Sequence, residues 1–184
     1  LYLRQTFLQE FSMSEPIISL PECETQKRVI RFFKEELRYD YLGNLADVQN
    51  KNVRENDLRR FLIDVKHYSE EVANKAVASL VHTAGDMQQG LYAANKNVYG
   101  ALKYPNRIQD ENGENQSVYF IDFENPSNNT FAVAEEVTVN TGLRTKRPDL
   151  VVYVNGIALA VIELKKSTIS VADGIRQNLT NQSD

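Results

Sequence analysis

Apolar residues in the first half of the chain recur at the three- and four-residue spacing of amphipathic helices. The spacing predicts helices over residues 22–37, 56–65 and 70–85. Asn56 or Asp57 is the expected N-cap of the second helix and Ser69 that of the third, because short polar side chains accept hydrogen bonds from free N–H groups. The charged residues on the other faces are interpreted as solvated surface.

The second half of the chain reads as strands separated by turn residues. We expect a polar loop at 109–116, a strand at 118–124, a turn at 125–129 and a strand at 130–140. A loop at 141–147 then leads into a hairpin over 150–164, and the apolar spacing of 170–182 indicates the start of a helix. This order of elements predicts an α/β sandwich with a mixed sheet around the hairpin: helices, then three or four strands, then a helix.

The hairpin is apolar on both faces but carries charged residues at its ends. Its two arms flank Asn155-Gly156, and alternating apolar side chains on both faces are typical of strands covered on both sides. Asp149, Glu163 and Lys165 lie inside or at the ends of these apolar runs. Charged groups are rarely buried unless they are paired or bind a metal.

The register of the hairpin decides whether the two carboxylates meet. A two-residue Asn155-Gly156 turn without irregularity places Asp149 opposite Ile162, so that Glu163 points to the other face. A three-residue loop with a bulge at Gly156, or a bulge elsewhere, puts Asp149 and Glu163 on one face. We expect a bulged register, because only that register brings Asp149, Glu163 and Lys165 together.

Two adjacent carboxylates in a partly desolvated place repel each other unless a cation intervenes. Mg²⁺ typically takes one or two carboxylates together with water and phosphate, and a bound ion can activate water and neutralise charge on a phosphodiester. Lys165 would face the same way and orient the attacking water. The alternative is a structural salt bridge between Lys165 and Glu163 or Asp149.

Charge and composition narrow the function classes. The net charge of −4 argues against a general nucleic-acid coat protein, although a local basic patch remains open. Such a patch is expected around the candidate site, and the alternative is a solubilising loop; its basic residues are Arg144, Lys146, Arg147, Lys165 and Lys166. The single Cys23 excludes a disulfide within the chain and favours a cytoplasmic location. No apolar run is long enough for a membrane span.

Two sequence stretches resemble a known family. Pro148-Asp149 followed by Glu163-Leu164-Lys165 resembles the PD-(D/E)xK nuclease signature. FIDFENPSNNTFAVAEEVTV and KRPDLVVYVNGIALAVIELKKS resemble the N-terminal domain of the R (HsdR) subunit of type I restriction enzymes. The resemblance is strong over 117–184 and weaker over 20–105. It implies the restriction-endonuclease-like PD-(D/E)xK fold, an α/β fold with a central mixed sheet flanked by helices.

The resemblance also implies residue roles. Asp149 and Glu163 would be metal ligands, with the Leu164 carbonyl as a third, and Lys165 would be the catalytic lysine. Gln177 matches the Gln of a Q-x-x-x-Y motif that contacts DNA near the cut. Asn181 stands where that motif has Tyr, so the motif is half present. Glu24 is a further candidate ligand, for which a solvated helix face is the alternative.

The implied function is a Mg²⁺-dependent endonuclease domain over residues 16–184, with 1–15 as a tail or upstream remnant. Its substrate would be double-stranded DNA, and its partners the methylase and specificity subunits. No G-x-x-x-x-G-K-[ST] phosphate loop occurs, so ATP binding and translocation would belong to domains outside this fragment. The alternatives are a repair or recombination nuclease with the same motif, and a catalytically silent DNA-binding or docking module of the same fold.

Overall fold

The computed structural model describes residues 22–48, 50–88, 90–140 and 145–165. The chain divides into two compact units, Gln26–Glu163 and a second formed by Leu1–Thr25 with Leu164–Asp184. Of the second unit, the structure describes residues 22–25 and 164–165. The predicted helix at 170–182 lies outside the described residues.

Four helices and eight strands are described. The helices are α1 (Glu22–Glu35), α2 (Glu55–Arg60), which continues as a π-helical turn (Phe61–Val65), α3 (Glu70–Gly85) and α4 (Leu91–Lys103). The first four strands are β1 (Asp40–Asn44), β2 (Asn106–Gln109), β3 (Asn115–Val118) and β4 (Phe131–Glu135). The others are β5 (Val139–Asn140), β6 (Thr145–Lys146), β7 (Leu150–Val154) and β8 (Ile157–Ile162).

The main sheet is mixed, as the sequence predicted. Its strand order is β1-β4-β7-β8, with β1 parallel to β4 and the other neighbours antiparallel. Strands β2 and β3 form a separate antiparallel ribbon, and so do β5 and β6. In this order β7 is a central strand and β8 lies at an edge.

Two apolar clusters hold these elements together. The larger one joins α2 and α3 to the β2–β3 ribbon and to Ile157 at the start of β8. The smaller one lies on one face of the main sheet, around Ala134, Val151 and Tyr153, with Val137 against them. The buried residues of the larger cluster are Val53, Leu58, Phe61, Leu62, Val72, Ala73, Ala76, Val77, Leu80, Ile108, Val118, Phe120 and Ile157.

The first helices follow the prediction with small differences. The Ser69 cap is confirmed, since its hydroxyl accepts a hydrogen bond from the Val72 N–H at 3.3 Å. Helix α2 begins one residue before Asn56, with Arg54 at the N-cap, so the predicted Asn56 or Asp57 cap is wrong. The predicted helix at 22–37 ends at Glu35.

Several strand predictions were wrong. The predicted strand at 118–124 is a run of bends after β3, in which Phe120, Ile121 and Asp122 are buried because loop contacts hold them. The predicted strand at 130–140 is interrupted after β4, where Glu136 adopts a positive φ of 53°. Both hairpin strands were expected to be covered, but β8 is an edge strand on which Leu159 and Val161 are exposed. Strands β1, β2 and β6 and helix α4 were not predicted, and β3 begins inside the loop expected at 109–116.

The hairpin turn is buried rather than exposed. Asn155 and Gly156 have φ values of 51° and 79°, the left-handed geometry that a two-residue turn requires. The Asn155 side chain is fully buried and accepts from the Thr130 N–H at 2.8 Å. It donates to the Phe120 carbonyl at 2.9 Å and to the Asn129 side-chain oxygen at 2.8 Å. All its polar groups are therefore satisfied inside the protein.

A second set of hydrogen bonds folds the 122–129 loop onto this turn. Asn129 accepts from the Asp122 N–H at 2.9 Å and donates to the Asp122 carbonyl at 2.8 Å. The Asp122 carboxylate accepts from the Asn125 N–H, the Asn128 amide and the Lys66 ammonium, each at 2.9–3.0 Å. The Asp-Phe-x-Asn-Pro-x-x-Asn stretch therefore has a structural role in this chain.

Gly156 is the position at which the turn meets helix α2. An added Cβ would lie 2.8 Å from the Arg54 carbonyl oxygen and 2.9 Å from the Asp57 Cβ. The Arg54 N–H also donates to the Gly156 carbonyl at 2.7 Å. Only glycine fits here, because both the positive φ and the close approach exclude a side chain.

Substitution of Gly156 should be far more damaging than substitution of Gly113. Gly113 has a φ of 82° but nothing within 4 Å of an added Cβ, so it isolates the backbone effect. Gly113→Ala is expected to lower the free energy of unfolding by about 1–2 kcal/mol. Gly156→Ala adds overpacking against α2 and should cost about 2–5 kcal/mol. Urea unfolding measures both, and equal losses would contradict the close contact.

Asp122 should make stability depend on acid pH. Its pKa is lowered to about 2, first by the hydrogen bond from the Asn125 N–H and then by Asn128 and Lys66. The contribution is present above the unfolded pKa of about 4 and is lost as pH falls towards about 2. Urea midpoints of Asp122→Asn should therefore lie well below wild type near neutral pH and converge with it in acid. Parallel curves would contradict this role.

Candidate active site

The register of the hairpin determines on which face each of the two candidate carboxylates lies. Strand β7 pairs with β8 from Val154↔Ile157 to Leu150↔Ile162, with Leu159 as an extra residue between Ala158 and Ala160. Extending this register by one residue places Asp149 opposite Glu163, on the face of Val151 and Val161. The expected bulge is confirmed, but it lies at Leu159 rather than at Gly156.

The neighbouring segment 52–54 occupies the outer edge of β8 just before the bulge. Val53 forms an antiparallel bridge with Ile157, and the Ala158 N–H donates to the Asn52 carbonyl at 2.9 Å. Residues 157 and 158 are thus held from both sides, whereas among the described residues the part of β8 from Leu159 onward pairs with β7 alone. The bulge at Leu159 therefore lies at the point where β8 stops pairing with segment 52–54.

Strand β4 adds a third carboxylate near the same strand ends. The Glu136 N–H donates to the Asp149 carbonyl at 2.9 Å, so Glu136 follows the β4–β7 ladder by one residue. Its side chain forms an ion pair with Arg147, with Glu136 Oε2 3.0 Å from Arg147 Nε. Arg147, which the sequence assigned to DNA binding, therefore has part of its charge offset by Glu136.

Glu135, one residue earlier, belongs to the other face of the sheet. It pairs with Leu150 and accepts hydrogen bonds from the Tyr41 hydroxyl at 2.7 Å and the Gln26 amide at 3.0 Å. Burial and the bond to the Glu135 carboxylate raise the pKa of Tyr41 to about 12, so its hydroxyl remains a donor at neutral pH. Glu135 thus ties α1 and β1 to β4 beside the carboxylate pair.

The chemistry available at these strand ends is that of a small oxygen-ligand site. Asp149 and Glu163 are both half-buried. Among residues 22–48, 50–88, 90–140 and 145–165, no group of three or more His, Cys, Asp or Glu side chains is arranged to hold a metal ion. A metal here would therefore rely on two carboxylates and complete its shell with main-chain oxygen, water or phosphate.

The other predicted site residues belong to the second compact unit, to β6 or to parts of the chain that the structure does not describe. Glu24, Leu164 and Lys165 belong to the second compact unit, and their predicted roles stay predictions. Lys146 lies half-buried on β6. Arg144, Lys166, Gln177 and Asn181 lie outside the described residues.

A cleft of about 210 Å³ lies at the opposite end of the hairpin, beside Gly156. An ion pair between Arg54 and Asp57 crosses part of its lining. Asp149 and Glu163 are not among its lining residues, so the carboxylate pair lies outside this cleft, near the edge of the sheet. No helix in the described part of the chain is long and apolar enough to cross a membrane.

A known family matches nearly all of this chain. The family described as Type I restriction enzyme R protein N terminus (HSDR_N) matches residues 19–184. The chain belongs to this family. The match includes the described sheet, the carboxylate pair and the 122–129 loop of this HSDR_N domain.

Two relatives of this HSDR_N domain are named as restriction enzyme subunits. One is named for the type I restriction enzyme MjaIXP endonuclease subunit of Methanocaldococcus jannaschii, 41% identical over 81 residues, which are 40% of this chain. The other is the type I restriction enzyme HindI endonuclease subunit of Haemophilus influenzae, 32% identical over 114 residues, which are 59% of this chain. The matches cover 8% and 11% of these relatives, so the chain spans about a tenth of their length.

Sequence reasoning missed two features around the carboxylates. The Glu136–Arg147 ion pair joins residues that directly follow two different strands, β4 and β6, and its only signal in the sequence was the Glu135-Glu136 doublet in an apolar run. The buried Asn129–Asn155 contact was also missed. Its signal was present, because three asparagines follow Asp122 within a short loop and Asn-Gly marks the turn.

The register can be tested by chemical cross-linking. In a Cys23→Ser background, Asp149→Cys with Glu163→Cys should be joined efficiently by a short bifunctional thiol reagent, because directly opposed Cβ atoms lie about 5 Å apart. Asp149→Cys with Ile162→Cys should react poorly, because those side chains point to opposite faces. Mass spectrometry of digested protein reads the yield, and the reverse preference would contradict the bulged register.

Proposed function

We propose that this domain is a Mg²⁺-dependent endonuclease domain that hydrolyses phosphodiester bonds in double-stranded DNA. The observation that supports the proposal is the bulged β7–β8 register, which, continued by one residue, would set Asp149 opposite Glu163. The membership in the R protein family and the names of its relatives support a nuclease role. We also propose the PD-(D/E)xK fold for the domain, which the mixed sheet and flanking helices are compatible with.

The two carboxylates suit a hard divalent ion. Asp149 and Glu163 are half-buried and offer only oxygen atoms, and Mg²⁺ needs no more than one or two protein carboxylates. The Leu164 carbonyl would be a third ligand, and Glu24 remains a further candidate. A bound Mg²⁺ supplies charge neutralisation at the phosphate and a more acidic water.

The remaining chemistry falls to side chains around the pair. Lys165 follows Glu163 by two residues and would orient the attacking water with its ammonium group. Gln177 would contact DNA near the cut, with Asn181 in place of the tyrosine of its motif. Arg144, Lys146, Arg147 and Lys166 would bind backbone phosphates, which carry no base information, so cutting should show no base preference. Arg147 would do so while its guanidinium stays paired with Glu136.

The domain would act within a larger cytoplasmic assembly. ATP-driven translocation would belong to domains that this sequence does not contain, and target choice to the methylase and specificity subunits. The curated relatives are about ten times the length of the matched segments, which leaves room for such domains.

Removing either carboxylate or the Lys165 ammonium should abolish DNA cleavage without lowering ATP hydrolysis. Asp149→Ala, Glu163→Ala and Lys165→Ala are each expected to abolish DNA cleavage by the full complex, because each removes a ligand or the water-orienting group. ATP hydrolysis should stay at the wild-type level. Plasmid nicking and phosphate release measure the two activities at several Mg²⁺ concentrations.

The control for this experiment is Glu124→Ala, an exposed carboxylate in the 122–129 loop, which should leave both activities unchanged. A loss of ATPase activity in step with cleavage would mean that the three residues maintain the fold. Full cleavage by both carboxylate variants would instead mean that the domain is a silent DNA-binding or docking module.

A further inference from the structure

Helix α4 presents an unusual outer surface. Its buried side is made by Ala94, with Ala101 and Leu102 packed against the larger apolar cluster. On the opposite side Tyr92 is 82% exposed and Tyr99 is 61% exposed. Large aromatic side chains at such exposure on a helix indicate a binding surface rather than a packing element.

The exposed tyrosines alternate with lysines. Tyr92, Lys96, Tyr99 and Lys103 are separated by four, three and four residues, which puts them within about 60° of one another on a helix of 3.6 residues per turn. They form a straight row about 16 Å long at a rise of 1.5 Å per residue. We call these four residues the tyrosine–lysine row.

The row lies in a segment that has basic residues but no acidic ones, in a chain that is acidic overall. Between Asp86 and Asp110 there is no acidic residue, while Lys96, Lys103 and Arg107 are all basic. This local excess of positive charge contrasts with the net charge of −4 for the whole chain. A polyanion would therefore be attracted to α4.

At the C-terminal end of the row, the Lys103 ammonium packs against two tyrosine rings. The Lys103 ammonium lies 5.5 Å from the Tyr99 ring centroid and 5.4 Å from that of Tyr104. A hydrogen bond with Tyr99, followed by the charge interaction with Tyr104, raises the pKa of Lys103, which keeps it cationic. Tyr104 is itself 58% exposed, so ring surface and charge are offered together to solvent.

Two classes of partner could cover such a surface, and the lysines discriminate between them. The centres of protein–protein interfaces are enriched in tyrosine but depleted of lysine. Surfaces that bind single-stranded nucleic acid combine basic residues for the phosphates with aromatic rings on which bases stack. Duplex DNA offers phosphates but keeps its bases stacked, so it would use only the lysines.

We propose that the tyrosine–lysine row of α4 is a binding site for single-stranded DNA, with Tyr92 and Tyr99 stacking on bases and Lys96 and Lys103 contacting phosphates. The site is separate from the carboxylate pair, because α4 packs on the cluster that includes Ile157 at the turn end of the hairpin. The proposal deepens the proposed nuclease function, on which its biological role rests, by adding a strand-holding surface away from the cut.

Binding to a fluorescein-labelled oligothymidine of about 16 nucleotides tests the site, measured by anisotropy with the full chain in EDTA so that no cleavage occurs. Tyr92→Ala with Tyr99→Ala should weaken binding at least tenfold. Lys96→Ala with Lys103→Ala should make the slope of log K against log salt concentration shallower by about 1.4. This value corresponds to two lost phosphate contacts at about 0.7 each for a single strand. Lys34→Ala with Lys51→Ala is the matched control, since it removes the same charge elsewhere and should change neither value.

A duplex of the same length separates the two nucleic-acid forms. The tyrosine variant should bind it like wild type, whereas the lysine variant should bind it more weakly. Wild-type affinity of both double variants for the single strand, or no binding by the wild-type chain, would overturn the proposal. So would self-association that the tyrosine variant abolishes while DNA binding persists, because that result assigns the row to a protein interface. Thermal unfolding checks that all variants stay folded, and cleavage by the carboxylate variants tests the nuclease proposal independently.

Discussion

The buried Asn155-Gly156 turn is the constraint on which the sheet and the candidate site both depend. Asn155 is fully buried and hydrogen-bonded to the segment that ends in Thr130, while Gly156 lies against the start of α2 with no room for a side chain. A turn held from two sides cannot slide, so the pairing of β7 with β8 starts from a fixed residue. Because side chains alternate along a strand, that starting point decides which face every later residue occupies.

The bulge at Leu159 then changes the face of the sheet on which the residues after it lie. Without it, the two-residue turn would direct Glu163 away from Asp149, and two half-buried carboxylates would lie on opposite sides of the sheet. With it, the β7–β8 register continued by one residue beyond Leu150↔Ile162 places Asp149 and Glu163 on one face. Bulges of this kind re-aim side chains next to functional sites, and here the bulge follows the point where segment 52–54 stops pairing with β8.

The polar residues of the two stretches that resemble the family have two different roles. Asp122, Asn125 and Asn129 are engaged in hydrogen bonds that shape a loop and support the turn. Asp149 and Glu163 lie at the other end of the hairpin, about one strand length from the turn, and are the proposed metal ligands. The two stretches thus provide both the support of the hairpin and the chemistry proposed for its far end. Helix α4 stands apart from both, with its tyrosine–lysine row on the outer surface.

The amphipathic helices, the Asn-Gly hairpin and the two carboxylates beside an apolar run could be predicted from the residue pattern alone. These features are local, because helix and strand periodicity and turn chemistry depend on residues close together in the chain. The position of the bulge, the edge position of β8 and the pairing of Glu136 with Arg147 could not be predicted in this way. Each of these depends on which distant segment packs beside a strand. The loop at 119–124 shows the same limit, since its apolar pattern predicted a strand but hydrogen bonds to Asn129 and Asn155 hold it as a bend.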